Sequence, residues 1–360
     1  MEGMVVNGAF WHGRRVLVTG HTGFKGGWLC TWLQSLGAHV AGYALPPSSE
    51  PSYYRTARVE EGVRSYIADI ADLATVRRAF GDENPEIVFH LAAQPLVRES
   101  YNDPIGTYRT NVIGTANVLE AVRTTESVRV VVVITTDKCY ENREWCWGYR
   151  EDDVLGGFDP YSSSKACAEL VTSAYRRSFF SSSHGEPRIG IATARAGNVI
   201  GGGDWAIDRL VPDIVKAAIS NQSVRVRNPE SVRPWQHVLE PLSGYLMLAE
   251  RIWSDPISFS GAWNFGPHDS DARTVGYIVE HFAKYWPGVR TELARDPSSV
   301  HEARYLKLDI SKVRAALGWV PRWTVAEAIE KTVEWYRGWH IGTEDMRSAS
   351  LRQISAYAAR

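Results

Sequence analysis

Short apolar, β-branched runs alternate with longer amphipathic stretches through the first half of the chain. Arg15–Thr19, His39–Ala44, Ser65–Ala68, Ile87–Leu91, Val128–Thr135 and Arg188–Arg195 predict strands. Gly27–Leu36, Leu73–Phe80, Ile105–Arg123 and Tyr161–Phe180 predict helices between them. This alternation implies right-handed crossovers and a doubly wound parallel sheet with helices on both faces, an α/β fold. The run VVVIT is apolar at successive positions, as a strand covered on both sides should be.

After about Gly201 the rhythm changes. Loops such as GGGDWAIDR, RNPESVRPWQH and FGPHDSDART separate helices and few obvious strands. The expected division is a sheet domain over 1–200 and a smaller, mostly C-terminal α/β lobe over 201–360. A segment near 235–270 should return to the first domain, because WNFGP reads as a late strand of the main sheet. No internal repeat or low-complexity linker interrupts the chain.

Composition narrows the function more than the fold. A net charge of -1 over 360 residues gives no electrostatic case for nucleic acid or an anionic membrane. No run of 18 apolar residues predicts a membrane span. Cys30, Cys139, Cys146 and Cys167 form no CxxC pair and fit a reducing, cytoplasmic setting. His301-Glu302 in VHEARY lacks the second histidine of a zinc motif, so no metal is expected. The 14 tryptophans are read chiefly as packing surface.

Two local patterns carry chemistry. RRVLVTGHTGFKGGW is a strand, a glycine turn and a helix start, with Gly20, Gly23 and Gly26 spaced to bring backbone amides against a pyrophosphate. That predicts a dinucleotide. The second strand ends HVAGYALPP, with neither an acid nor an arginine at its end, although Arg55 and Arg58 follow. Asp69, after the third strand, is placed to meet an adenine, and NAD is favoured over NADP. In FDPYSSSKACAEL, Asp159 and Pro160 open a helix that puts Tyr161 and Lys165 one turn apart on one face. A phenol with a reference pKa of about 10 needs help to act as a base, and a neighbouring ammonium and an oxidised nicotinamide would supply it.

VTGHTGFKG together with YSSSK resembles the extended short-chain dehydrogenase/reductase family of NAD-dependent epimerases and dehydratases, with its Rossmann-type fold. ITTDKCYENREWCWGYRE, HLAAQPLVRESY, RAGNVIGGGDWAIDRLVPDI and RPWQHVLEPLSGY resemble, more narrowly, its nucleotide-sugar 4,6-dehydratases. The likeness runs from about residue 12 to the C-terminus. It implies NAD as cofactor, CDP-glucose as substrate, and a 4-keto-6-deoxy sugar nucleotide for surface polysaccharide as product. It implies Thr22, Phe24 and Lys25 at the glycine turn, with Asp69, Ile70, Leu91, Ala92, Ala93 and Asn111, as further cofactor contacts. Thr136 would bond the C4 oxygen and Asp137 would protonate the departing C6 hydroxyl. Related dehydratases place a glutamate next, as base for the C5 proton, where this chain has Lys138. Lys138 either loses its own proton to serve as that base or only stabilises the enolate while another group takes the proton. Gln94, Arg195, Asn198, Asp204, Trp205, Arg209, Arg233, His237 and Tyr305 are the implied substrate contacts. A homodimer or homotetramer is implied, a dimer joining through the Ile105–Arg123 and Tyr161–Phe180 helices. An epimerase or simple reductase would need no Asp137-Lys138 pair, and an inert cofactor sensor would need no Tyr161–Lys165 pair.

Overall fold

The computed structural model describes residues 5–180, 189–226, 228–293 and 303–360. Arg188 and the His301-Glu302 pair lie outside them. The predicted strands form β1 (Arg15–Thr19), β2 (His39–Ala44), β3 (Val63–Ile67), β4 (Ile87–His90), β5 (Val130–Ile134) and β6 (Gly190–Ala196). The returning segment supplies β7 (Gly261–Phe265), paired in parallel with β6. All seven strands are parallel, in the order β7-β6-β5-β4-β1-β2-β3. The order reverses between β1 and β4, which opens a crevice at their C-terminal ends.

All five residues of β5 are buried, and they face two cores alternately. Val130 and Val132 pack on one side with Trp28 and Leu29 of helix α1 (Phe24–Ser35). Val131 and Val133 pack on the other with Phe80 of α2 (Leu73–Glu83) and Val118 and Leu119 of α3 (Gly114–Arg123). Each such side chain contributes about 1.5–3 kcal/mol on leaving water. The first core continues into α5 (Leu239–Ser254), α6 (Val325–Ile341) and α7 (Met346–Ala358), beyond the crossover helix α4 (Pro160–Phe179). Trp11, Trp28, Trp32, Trp263 and Trp335 are fully buried in it, in keeping with a packing role.

Some boundaries move. α1 starts at Phe24, three residues before the expected Gly27, because Gly23 takes an extended N-cap conformation and Gly26 and Gly27 fall inside the helix. β3 starts two residues before Ser65. The expected helix Ile105–Arg123 runs as Pro104–Tyr108, a π-helical turn at Arg109–Ile113, and then α3. In the second half, short strand pairs were not legible as alternation, since the strands have only two to four residues. They are Val199–Ile200 with Gln236–His237, Val232–Pro234 with Ala272–Thr274, and Ser223–Val226 with Arg290–Leu293. Among the described residues no helix is long and apolar enough to cross a membrane.

The C-terminal helix α7 is locked to α5 through a buried acid. The Glu240 carboxylate accepts from the backbone N–H of Trp323 at 2.7 Å and of Arg322 at 3.1 Å, and from the Tyr357 hydroxyl at 2.6 Å. Glu240→Ala leaves those donors without a partner and should cost about 3 kcal/mol or more in denaturant unfolding. Burial also raises the Glu240 pKa from 4.5 to about 7, so the folded protein binds a proton that the unfolded chain releases. This term therefore makes stability fall as pH rises from 4.5 towards 7. The wild type should show that decline relative to Glu240→Gln, compared by urea unfolding across the same pH range.

Candidate active site

The C-terminal ends of β1, β4, β5 and β6 open on a cavity of about 1010 Å³. On its β1 side the glycine turn leaves no room for side chains. A Cβ on Gly26 would lie 2.2 Å from the Gly20 carbonyl oxygen, and one on Gly20 would lie 2.7 Å from the Ala92 nitrogen. Gly20 also has φ +77, a conformation glycine adopts without strain. The turn therefore brings bare backbone and the start of α1 to the cavity, which suits a pyrophosphate. Thr22, Phe24, Lys25, Asp69, Ile70, Leu91, Ala92 and Ala93 line the same space. Thr19 Oγ1 receives the N–H groups of Leu91 and Ala92 at 3.1 Å and so holds the β4 loop against the turn. Arg55 is paired with Glu60, and Arg58 with Glu61 and Asp345. Their charges are met by protein carboxylates, which favours a cofactor without a 2′-phosphate.

Opposite the turn, β5 ends directly in Thr135-Thr136-Asp137-Lys138, the last three of which line the cavity or its edge. Asp159 accepts from Ser162 N at 2.9 Å and Pro160 is the first residue of α4, so the local sequence sets where Tyr161 and Lys165 project. Asp137 is 2% exposed; Oδ1 accepts from Thr136 at 3.0 Å, while Oδ2 has no partner among the described residues. Burial raises its pKa against the pull of Lys138, Thr136 and Arg233. The Lys165 ammonium donates to the Ile134 carbonyl at 3.1 Å, and burial lowers its pKa to about 8 against the opposing charge of Glu169. Lys25 is lowered to about 7, by burial first and then by Arg209 and Lys165.

The expected activation of Tyr161 joins Lys165 to an oxidised nicotinamide, and the protein's own groups alone leave the phenol raised. Burial pushes the phenol up to about 12; the groups opposing that shift are the Thr136 hydroxyl and Arg209.

Among the expected substrate contacts, Asn198, Asp204, Trp205, Arg209 and Arg233 line the cavity. Arg209 is paired with Asp204 at 3.0 Å, and Arg233 donates to the carbonyls of Val232 and Ala303. Four expected substrate contacts, and Asn111 among the expected cofactor contacts, are elsewhere. Arg195 is 3% exposed and bound to Glu169, Tyr140 and the Glu151 carbonyl, so its donors are used inside the protein. His237 is fully buried between Trp28 and Trp323. Gln94 braces its own loop through Leu96 and Thr107. Asn111 joins that loop to α4 by bonds to the Gln94 backbone and the Ser164 hydroxyl. Tyr305 bridges to Val232 and does not line the cavity. Conversely, Arg98, on the short helix Val97–Asn102, and Asp208, in a turn of the second half, form a 3.3 Å ion pair at the cavity, and Val224 and Val226 add an apolar wall. Nothing in their spacing along the chain marked them.

A glycine turn at the switch point and a buried Tyr–Lys pair on the crossover helix define a nucleotide-dependent short-chain dehydrogenase/reductase of the extended class. Comparison with known proteins narrows this. The chain belongs to the family described as GDP-mannose 4,6 dehydratase, whose model matches residues 17–332. It is 53% identical over 349 residues to CDP-glucose 4,6-dehydratase of Salmonella typhimurium, covering 97% of each chain. It is 28% identical to dTDP-glucose 4,6-dehydratase of Streptomyces griseus, covering 90% of this chain and 95% of that one. Among solved structures it is similar to the UDP-glucose 4-epimerase complex with NAD from Thermus thermophilus. The TM-score is 0.78 at 26% identity, with 90% of this chain and 99% of that one covered.

Adding a methyl at Gly26 must displace the turn, at a cost of about 1–3 kcal/mol. Gly26→Ala should therefore weaken NADH binding by roughly tenfold to a hundredfold in a fluorescence titration. Gly81→Ala, where a Cβ meets nothing within 4 Å, should leave the affinity unchanged.

Proposed function

We propose that this chain converts CDP-D-glucose to CDP-4-dehydro-6-deoxy-D-glucose and water. The observation that carries the reading is the buried Asp137, with Oδ2 unpartnered among the described residues, beside Thr136 and Tyr161. Moving a hydride at C4 alone, as an epimerase does, needs no such acid, whereas expelling the C6 hydroxyl does. The choice of CDP-glucose is supported by the 53% identity to the Salmonella enzyme of that name.

NAD is the cofactor, and when bound it takes the hydride from C4 and returns it to C6. The glycine turn fits it, because the space that a Cβ on Gly20 or Gly26 would need is filled by backbone. Tyr161 accepts the C4 hydroxyl proton while Thr136 holds the same oxygen, and Lys165 keeps a positive charge beneath the phenol and the ribose. Asp137 gives its proton to the C6 hydroxyl as that group leaves. Lys138 is assigned to the C5 step, either taking the C5 proton itself once deprotonated, or stabilising the enolate as a cation while another group takes that proton. Asn198, Arg209 and Arg233 are assigned to the substrate pyrophosphate, and Asp204 and Trp205 to the wall beside it.

Ile105, Ile113 and Leu170 are exposed on the helical run Pro104–Arg123 and on α4. We assign this apolar face to a homodimer. The four cysteines, none of them paired, support a reducing, cytoplasmic setting.

Tyr161→Phe should lower turnover by about 10²–10⁴-fold while binding NADH nearly as the wild type does. Normal activity in that variant would sink the mechanism. Asp137→Asn should still oxidise C4, seen as absorbance of reduced cofactor in a single turnover, but stall before water leaves. Unslowed formation of 6-deoxy product by this variant would remove Asp137 from the acid role.

A further inference from the structure

Beneath the Tyr161–Lys165 pair lies a charge pair to which the reaction gives no direct part. Glu169 follows Lys165 by one turn on α4 and is 4% exposed. Its carboxylate accepts from Thr135 Oγ1 at 2.5 Å, Thr193 Oγ1 at 2.7 Å, and Arg195 Nε at 3.0 Å and Nη2 at 2.9 Å. Arg195 also donates through Nη1 to the Tyr140 hydroxyl at 2.8 Å and the Glu151 carbonyl at 2.9 Å. One carboxylate thus ties α4 to the exit of β5 and to β6. Thr135 immediately precedes Thr136, Asp137 and Lys138, so a shift of Thr135 would move all three. A buried ion pair adds little net stability over apolar side chains of the same volume, so its role is better sought in what it positions.

Lys165 faces few compensating charges. Around it stand Glu169 on its own helix, Cys139 from the turn after β5, His90 from β4 and Lys25 from α1. Burial drives the Cys139 thiol well up and His90 down to about 3, so both are neutral near pH 7. Glu169 is itself pushed up by burial, but Arg195, Thr135 and Thr193 more than offset this and keep it ionised. Arg195 from β6 and Arg176 from α4 are the cations that face Glu169 in turn.

We infer that Glu169 and Arg195 are positioning residues of the reaction: the pair anchors the Thr136–Lys138 strand end and supplies the counter-charge that keeps Lys165 an ammonium in a buried site. The inference rests on reading Tyr161 and Lys165 as the hydride-transfer pair.

The test is the pH dependence of NADH binding, followed by fluorescence, and of 4-keto product formation from CDP-glucose. It compares the wild type with Glu169→Gln, Glu169→Asp and the double variant Glu169→Gln/Arg195→Met. In Glu169→Gln the alkaline loss of both signals should move to lower pH by about one unit, roughly a tenfold easier deprotonation of Lys165. Glu169→Asp should restore the wild-type midpoint. The double variant strands no cation and should shift in the same direction by less; it decides the matter if Glu169→Gln does not fold. Unchanged midpoints with a uniform loss at every pH would show a merely structural pair and overturn the inference. A wild type that binds NADH but leaves CDP-glucose unchanged would sink the functional reading instead, while the binding profiles still decide this one.

Discussion

Desolvation around the cavity sets the direction in which Asp137, Tyr161, Lys165 and Lys25 are shifted. It raises Asp137 and Tyr161 and lowers Lys165 and Lys25, in each case towards the neutral form. A site buried in this way disfavours both a carboxylate and a phenolate. The groups that oppose the tendency are placed one at a time: Glu169 below Lys165, and Arg209 and the Thr136 hydroxyl beside Tyr161. The same burial strengthens each of those interactions, because little water remains to screen them.

The sheet supplies the placement. Because all seven strands are parallel, the loops after β1, β4, β5 and β6 emerge on one edge, and the reversal of order at β1 and β4 separates them into a crevice. The glycine turn forms one wall, and the Thr136–Lys138 turn with the start of α4 forms the other. The second half of the chain closes the cavity through Asn198, Asp204, Arg209 and Arg233, and its helices share a continuous apolar core with the sheet. A sugar held by that second half is thereby presented to both walls at once. An epimerase could use the same scaffold. Asp137, buried with one oxygen unpartnered, is the residue we propose turns the scaffold towards elimination.

Local chemistry was legible in the sequence and long-range bonding was not. The turn at Gly20–Gly26 and the sequence Asp159-Pro160-Tyr161 fix their own geometry within a few residues, so the cofactor wall and the catalytic pair follow directly from spacing. Arg195 and His237 looked like ligand contacts because of their residue types and surroundings in the chain. The Arg195 donors are taken up by Glu169 and Tyr140, far away in sequence, and the His237 ring is buried against Trp28 and Trp323, away from the cavity. Gln94 and Asn111 were drawn to the right loop, but they hold it in shape and do not face the cavity. The sequence also suggested an activated tyrosine by adjacency to Lys165. It could not show that burial outweighs this adjacency, since burial depends on the whole fold.

The central claim is that one hydride leaves C4, is kept on the enzyme and returns to C6 of the same sugar. CDP-glucose carrying deuterium at C4 tests it most directly, with the product examined by NMR. The account predicts deuterium at C6 of the 4-keto-6-deoxy product, with no reduced cofactor released into solution. Product with hydrogen at C6 from another source, or deuterated NADH accumulating in free solution, would contradict it.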